Sequence, residues 1–140
     1  MRLFRLRILT LALAITSWTL ADPPKDPKAR QIYDHDLGWL SHFPNAFIVT
    51  NIRGEGLQYA ERRQAALDLI REKRDATAVP ELVNELEIGS FLSGEICDVL
   101  GEWKSREAIS MLETVVKDKK RSKDVRRKAQ QALVAIRGKP

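Results

Sequence analysis

His35 and His42 are the two histidines of the chain, and Asp34 and Asp36 flank the first. Imidazole and carboxylate groups are zinc ligands, and a spacing of seven residues is two helical turns, which puts both rings on one face of a helix. Gly38 and Pro44 break the regularity such a site needs, and no third strong ligand stands at matching spacing. Solvated polar residues on a short helix are the better reading. Cys97 is the single cysteine, which excludes an internal disulfide and a multi-cysteine zinc site. A reactive thiol needs bases nearby to lower its pKa, whereas Glu95 and Asp98 surround Cys97 in sequence. A structural, half-buried cysteine is expected. Gly54-Glu55-Gly56 is too short to cradle phosphate and reads as a turn. GxSxG, HExxH and Walker patterns do not occur. The residues nominate no catalytic group, metal site or cofactor, so a non-enzymatic protein is expected.

Charge placement says more. The 140 residues carry 24 Lys and Arg against 19 Asp and Glu, a formal net of +5. Residues 22–116 hold 17 acids and 11 bases, net −6, while residues 117–140 hold ten bases and two acids, net +8. Glu81 and Glu85, with Glu87, are read as facing outward on one helix and Glu113 on its neighbour, which predicts an acidic patch. The basic block includes Lys119, Lys120 and Arg121 in a loop and Arg126 and Arg127 opening the last helix. Ten bases in 24 residues exceed what solubility requires. That block is a candidate contact for an anionic partner.

The remaining three charges belong to the N-terminus. Arg2, Arg5 and Arg7 precede Ile8 to Leu20, an uncharged stretch of 13 residues. As a helix it would span about 20 Å, short of the roughly 30 Å hydrocarbon core of a bilayer. Thr19-Leu20-Ala21 then supplies small residues at the −3 and −1 positions of a cleavage site. Residues 1–21 are read as a cleaved signal peptide, with an uncleaved anchor as the alternative. Export makes a periplasmic or extracellular protein with no membrane-spanning helix after cleavage. It also disfavours a nucleic-acid partner. Residues 22–30, with three prolines in nine positions, are read as an extended tether.

Elements that position the charged residues follow from a repeat. Ile70 to Leu86 aligns without gaps on Leu100 to Val116, at an offset of 30: Ala78 on Ala108, Val79 on Ile109, Leu82 on Leu112. The preceding helices match at the same offset, Ala66 on Ile96 and Leu69 on Val99. A third copy begins at Val125, where Ala129, Ala132, Leu133 and Ile136 continue the pattern at an offset of 33. Those four positions lie within about a 100° arc of a helix, one buried stripe. Pro80 is placed just inside its helix, and Thr77 is the candidate N-cap. A constant period with two amphipathic helices per unit predicts an all-α fold, a short solenoid of helical hairpins.

The pattern RR-x-A … L-x-x-I followed by D-x-x-A-V-P-x-L, in Arg62-Arg63 to Leu86, resembles HEAT-like repeats of the phycobilisome-lyase type. Leu92 to Val116 is similar to a second unit, and Asp124 to Arg137 to the first half of a third. Ser105 and Ser110 stand where Asp75 and Pro80 stand in the first unit. The resemblance implies about two and a half HEAT-like repeats over residues 57–140. It implies a scaffold or adaptor function, and more remotely a lyase-type enzyme related to phycobilin lyases.

Residues 31–56 lie outside the period. Their Trp39 and Phe43, at i and i+4, predict one short helix and a loop capping the first repeat, with partner docking as the alternative. Two functions from different classes remain: a module that binds an envelope or secreted protein, and adhesion to anionic lipid or envelope polymer through the basic end.

Overall fold

The computed structural model describes residues 23–53 and 60–138. Residues 1–21, read above as a signal peptide, Gly54-Glu55-Gly56 and Lys139 lie outside those residues. Among the described residues seven α-helices follow one another: α1 Pro27–Leu40, α2 Asn45–Thr50, α3 Ala60–Lys73, α4 Val79–Ile88, α5 Ser93–Glu102, α6 Ile109–Lys117 and α7 Lys123–Arg137. No strand occurs among the described residues. The chain is all-α.

The extended tether expected over residues 22–30 is corrected: α1 already begins at Pro27. Asp26 takes the N-cap, its carboxylate accepting from the Ala29 N–H at 2.8 Å. Pro27 lies in the first turn, where an absent N–H leaves nothing unsatisfied. A proline there starts a helix. The cap also differs from one helix and a loop, because α2 and a 3-10 turn at Asn51–Arg53 follow α1. Packed with Leu40, their Ile48, Val49 and Ile52 are fully buried.

The two central connections have the same backbone course thirty residues apart. After α3, Arg74 has φ 47°, Asp75 is extended, and Ala76–Ala78 form a 3-10 turn into α4. After α5, Lys104 has φ 53°, Ser105 is extended, and Arg106–Ala108 form the turn into α6. Ser105 and Ser110 therefore leave the turn unchanged, since buried Ala78 and Ala108 anchor it from below. Thr77 is not the cap. Asp75 is, accepting from the Thr77 N–H at 2.9 Å and from its hydroxyl at 2.7 Å. Ser105 makes no such bond. Ser105→Asp is therefore expected to raise stability by about 0.5–1 kcal/mol, read as a higher urea midpoint; an unchanged or lower midpoint would contradict the equivalence of the two turns.

Helix α1 packs on α3, α2 on α3 and α4, α4 on α5 and α6, and α7 on both α5 and α6. Small residues let α5 and α7 approach. A side-chain carbon at Gly101 would fall 2.9 Å from the Ala132 Cα, so only glycine fits this crossing. The core runs through the chain from Tyr33 to Ile136. It reaches into the cap.

Candidate functional site

A groove lies between the two repeated connections. One wall is Arg74, Ala76 and Val79; the other is Glu102 to Glu107, including Trp103, Lys104 and Arg106. The cavity measures about 490 Å³. A second cavity of about 540 Å³, between α5 and α7, shares Glu102 and Lys104 with it. Its size is that of small-ligand sites generally. Arg71 holds Glu102 in an ion pair at 3.3 Å, joining α3 to α5. Lys104 and Arg106 are exposed, and their side chains engage no hydrogen-bond or ion-pair partner among the described residues. Trp103 is half-buried, and its indole N–H has no acceptor there. Cations beside an aromatic ring and an apolar floor suit a ligand with both anionic and apolar parts.

The expected acidic patch does not form. Glu85 is buried, at 1% exposure, which corrects its outward placement. It sits on the stripe of Val79, Leu82 and Leu86, the face that α4 turns inward. Glu81 is half-buried and lines a separate cavity with Asn45, Lys73 and Asp75. Glu113 is bonded to Arg137, whose hydrogen bond and charge hold its carboxyl below the usual range. These glutamates make no common surface.

Much of the basic block turns back onto the chain. Arg121 donates to the backbone carbonyls of Leu86 at 2.7 Å and Glu87 at 3.2 Å. Arg127 bonds Asp124 at 2.6 Å and Gln131 at 2.9 Å, and Lys128 bonds Asp98 at 2.7 Å. Arg126 is half-buried, whereas Lys119, Lys120 and Lys123 face solvent.

The other chemistry-bearing residues lie apart from the groove. His35 on α1 and His42 beyond its end are both exposed. Cys97 is more buried than expected, at 0% exposure. Burial, with Asp98 beside it, pushes its thiol up to about 12, so it is not ionised near neutral pH. Trp39, Phe43 and Phe47 stack with centroids 4.5 to 5.9 Å apart, and the Arg62 guanidinium lies over Trp39. Trp39 stays 41% exposed and Phe47 39%.

A polar network joins α1 to α3. The Tyr33 hydroxyl donates to Asp68 at 2.8 Å and the Gln64 amide donates to its other oxygen at 2.9 Å. Burial raises the Asp68 carboxyl, against the opposing pull of those hydrogen bonds. A carboxyl raised by folding binds its proton more tightly in the folded chain. Its penalty is present at neutral pH and is relieved as pH falls through the folded pKa. Asp68→Asn has no such titration. The stability of the natural chain relative to this variant is therefore expected to increase between pH 7 and pH 4, measured by urea unfolding. A relative stability that falls on acidification would contradict the assignment.

No family model, curated protein or solved structure matches this chain.

Proposed function

We propose that the chain is an exported, non-enzymatic module of HEAT-like helical repeats that binds a protein partner in the cell envelope. The observation that carries this reading is the shared backbone course at residues 74–79 and 104–109. A hairpin repeated with its turn buries its apolar stripe against its neighbour and leaves the turns aligned along one edge. Repeated edges of this kind serve as extended binding surfaces. The basic, apolar N-terminus supports export. No helix among the described residues is long and apolar enough to cross a membrane.

The basic C-terminal end is the second reading, favoured by exposed Lys119, Lys120 and Lys123. Adhesion to anionic lipid or envelope polymer through these groups would weaken steeply with salt. The two readings separate in paired assays with the chain lacking residues 1–21, the form expected after export. Immobilised chain is exposed to envelope extract, and free chain is floated with vesicles of phosphatidylglycerol and phosphatidylcholine. Retention of a discrete protein, without flotation, is the outcome expected of a binding module. Flotation that vanishes with salt, and no retained protein, would overturn it in favour of the basic end.

A further inference from the structure

Two backbone positions in the groove are unusual for the residues that hold them. Arg74 and Lys104 have φ 47° and 53°, in the left-handed region that a side chain enters at a cost of about 1–2 kcal/mol and glycine enters freely. Elsewhere the chain places glycine at such angles, Gly89 at φ 85° and Gly138 at φ 83°. At both walls of the groove it places a cation instead. Complementing the helix dipole does not account for this at α3, whose last turn already holds Arg71 and Lys73. Strained backbone clusters at active sites and ligand clamps, and the Lys104 side chain has no partner among the described residues that would account for its retention.

The rest of the lining narrows the ligand. Lys104 belongs to both cavities, so a ligand lying along the edge of the helices passes it in an extended course. Half-buried Trp103 offers apolar surface, and the side chains of Lys104 and Arg106 offer charge that no acid among the described residues takes up. Glu102 and Glu107 stand on the same wall. Two carboxylates repel a continuous polyanion such as nucleic acid, yet accept from the N–H groups of a peptide. We propose that the groove binds an extended acidic peptide segment of a partner protein. Its carboxylates meet Lys104 and Arg106, and a neighbouring apolar side chain packs on Trp103. This rests on the chain being a protein-binding module and names the chemistry of its site.

The test pans a display library of random twelve-residue peptides on the full chain, then measures binding of an enriched synthetic peptide. Enriched sequences are expected to carry Asp or Glu beside an apolar residue. Lys104→Gly and Arg106→Gln are each expected to weaken binding by about tenfold or more, the scale of one lost charge-assisted contact. In a chain carrying Trp18→Phe and Trp39→Phe, Trp103 emission should shift on binding. Lys104→Gly relieves the backbone strain, so its Tm should rise by roughly 3–6 °C. Weaker binding by a more stable chain cannot be loss of fold. The proposal is overturned by an empty selection, by enrichment without acidic residues, by unchanged affinity in Lys104→Gly, or by a single-stranded oligonucleotide that displaces the peptide. If a retained envelope protein still binds Lys104→Gly while acidic peptides do not bind at all, the groove proposal falls and the module reading stands. Loss of both removes both.

Discussion

Leu40→Ala is expected to lower the stability of the whole chain by about 3 kcal/mol, within a single unfolding transition followed by circular dichroism and Trp fluorescence together. Leu40 ends α1 at 0% exposure and shares the core with Ile48, Val49 and Ile52 from the following segment. Truncating a buried leucine removes its transfer free energy and leaves a cavity, which together cost about 2–5 kcal/mol. The residue lies in the segment that the repeat period leaves out. If that segment were a detachable docking arm, Leu40→Ala would melt it alone, and the two probes would separate. Coincident transitions at a lower midpoint make it part of the fold. The Tyr33–Asp68 and Arg62–Asp36 contacts tie the same helix to α3 and point to the same result.

Arg121→Ala is expected to cost about 2 kcal/mol, and Arg121→Lys to recover less than half of that. The guanidinium donates to two carbonyls at the end of α4 and lies 3.3 Å from Asp118. Helix ends leave carbonyls without partners, and a hydrogen bond to a charged donor is worth about 1.5–3 kcal/mol. Partial exposure and the proximity of Asp118 bring the figure toward the lower end. An ammonium cannot reproduce the planar fork. Any side chain at Gly89 would meet the Arg121 guanidinium at 2.9 Å, so the close approach depends on glycine. Chemical denaturation of the two variants checks the ranking. Equal stability of Arg121→Ala and the natural chain would show that this arginine is free for a ligand, as its place in a basic run first implied.

The period of thirty was legible because apolar residues recur at helical spacing and because both connections preserve Ala78 and Ala108 beneath them. Three features were not. Glu85 reads as a surface residue by type, although its spacing from Leu82 and Leu86 places it on the inward stripe. Position outweighs type there, and counting the stripe would have found it. Arg121 reads as one member of a charged loop; its acceptors are backbone carbonyls 34 and 35 residues earlier, which side-chain patterns do not report. Asp26-Pro27 reads as a continuation of proline-rich tether, although the same pair is a helix start when the carboxylate caps it. The groove had one available signal. Arg74 and Lys104 occupy the same register of the repeat, and the turn needs a left-handed residue that is usually glycine.

This changes how the charge distribution bears on function. Arg121, Arg127, Lys128 and Arg137 each find an acceptor within the chain, so four of the ten bases of the +8 end are engaged without an external anion. Lys104 and Arg106, whose side chains find no partner among the described residues, lie instead in the body that sums to −6. The local field at a groove, rather than the sum over a segment, is what a ligand meets.

The most direct test is site-specific photo-cross-linking of the full chain in envelope extract. A photoreactive phenylalanine derivative replaces Glu107 on the groove or, in a second chain, Lys123 at the basic end. A polypeptide adduct from position 107, absent from position 123 and lost on adding Arg106→Gln, is the predicted result. Adducts from position 123 with none from position 107 would contradict a protein-binding edge at the repeated turns.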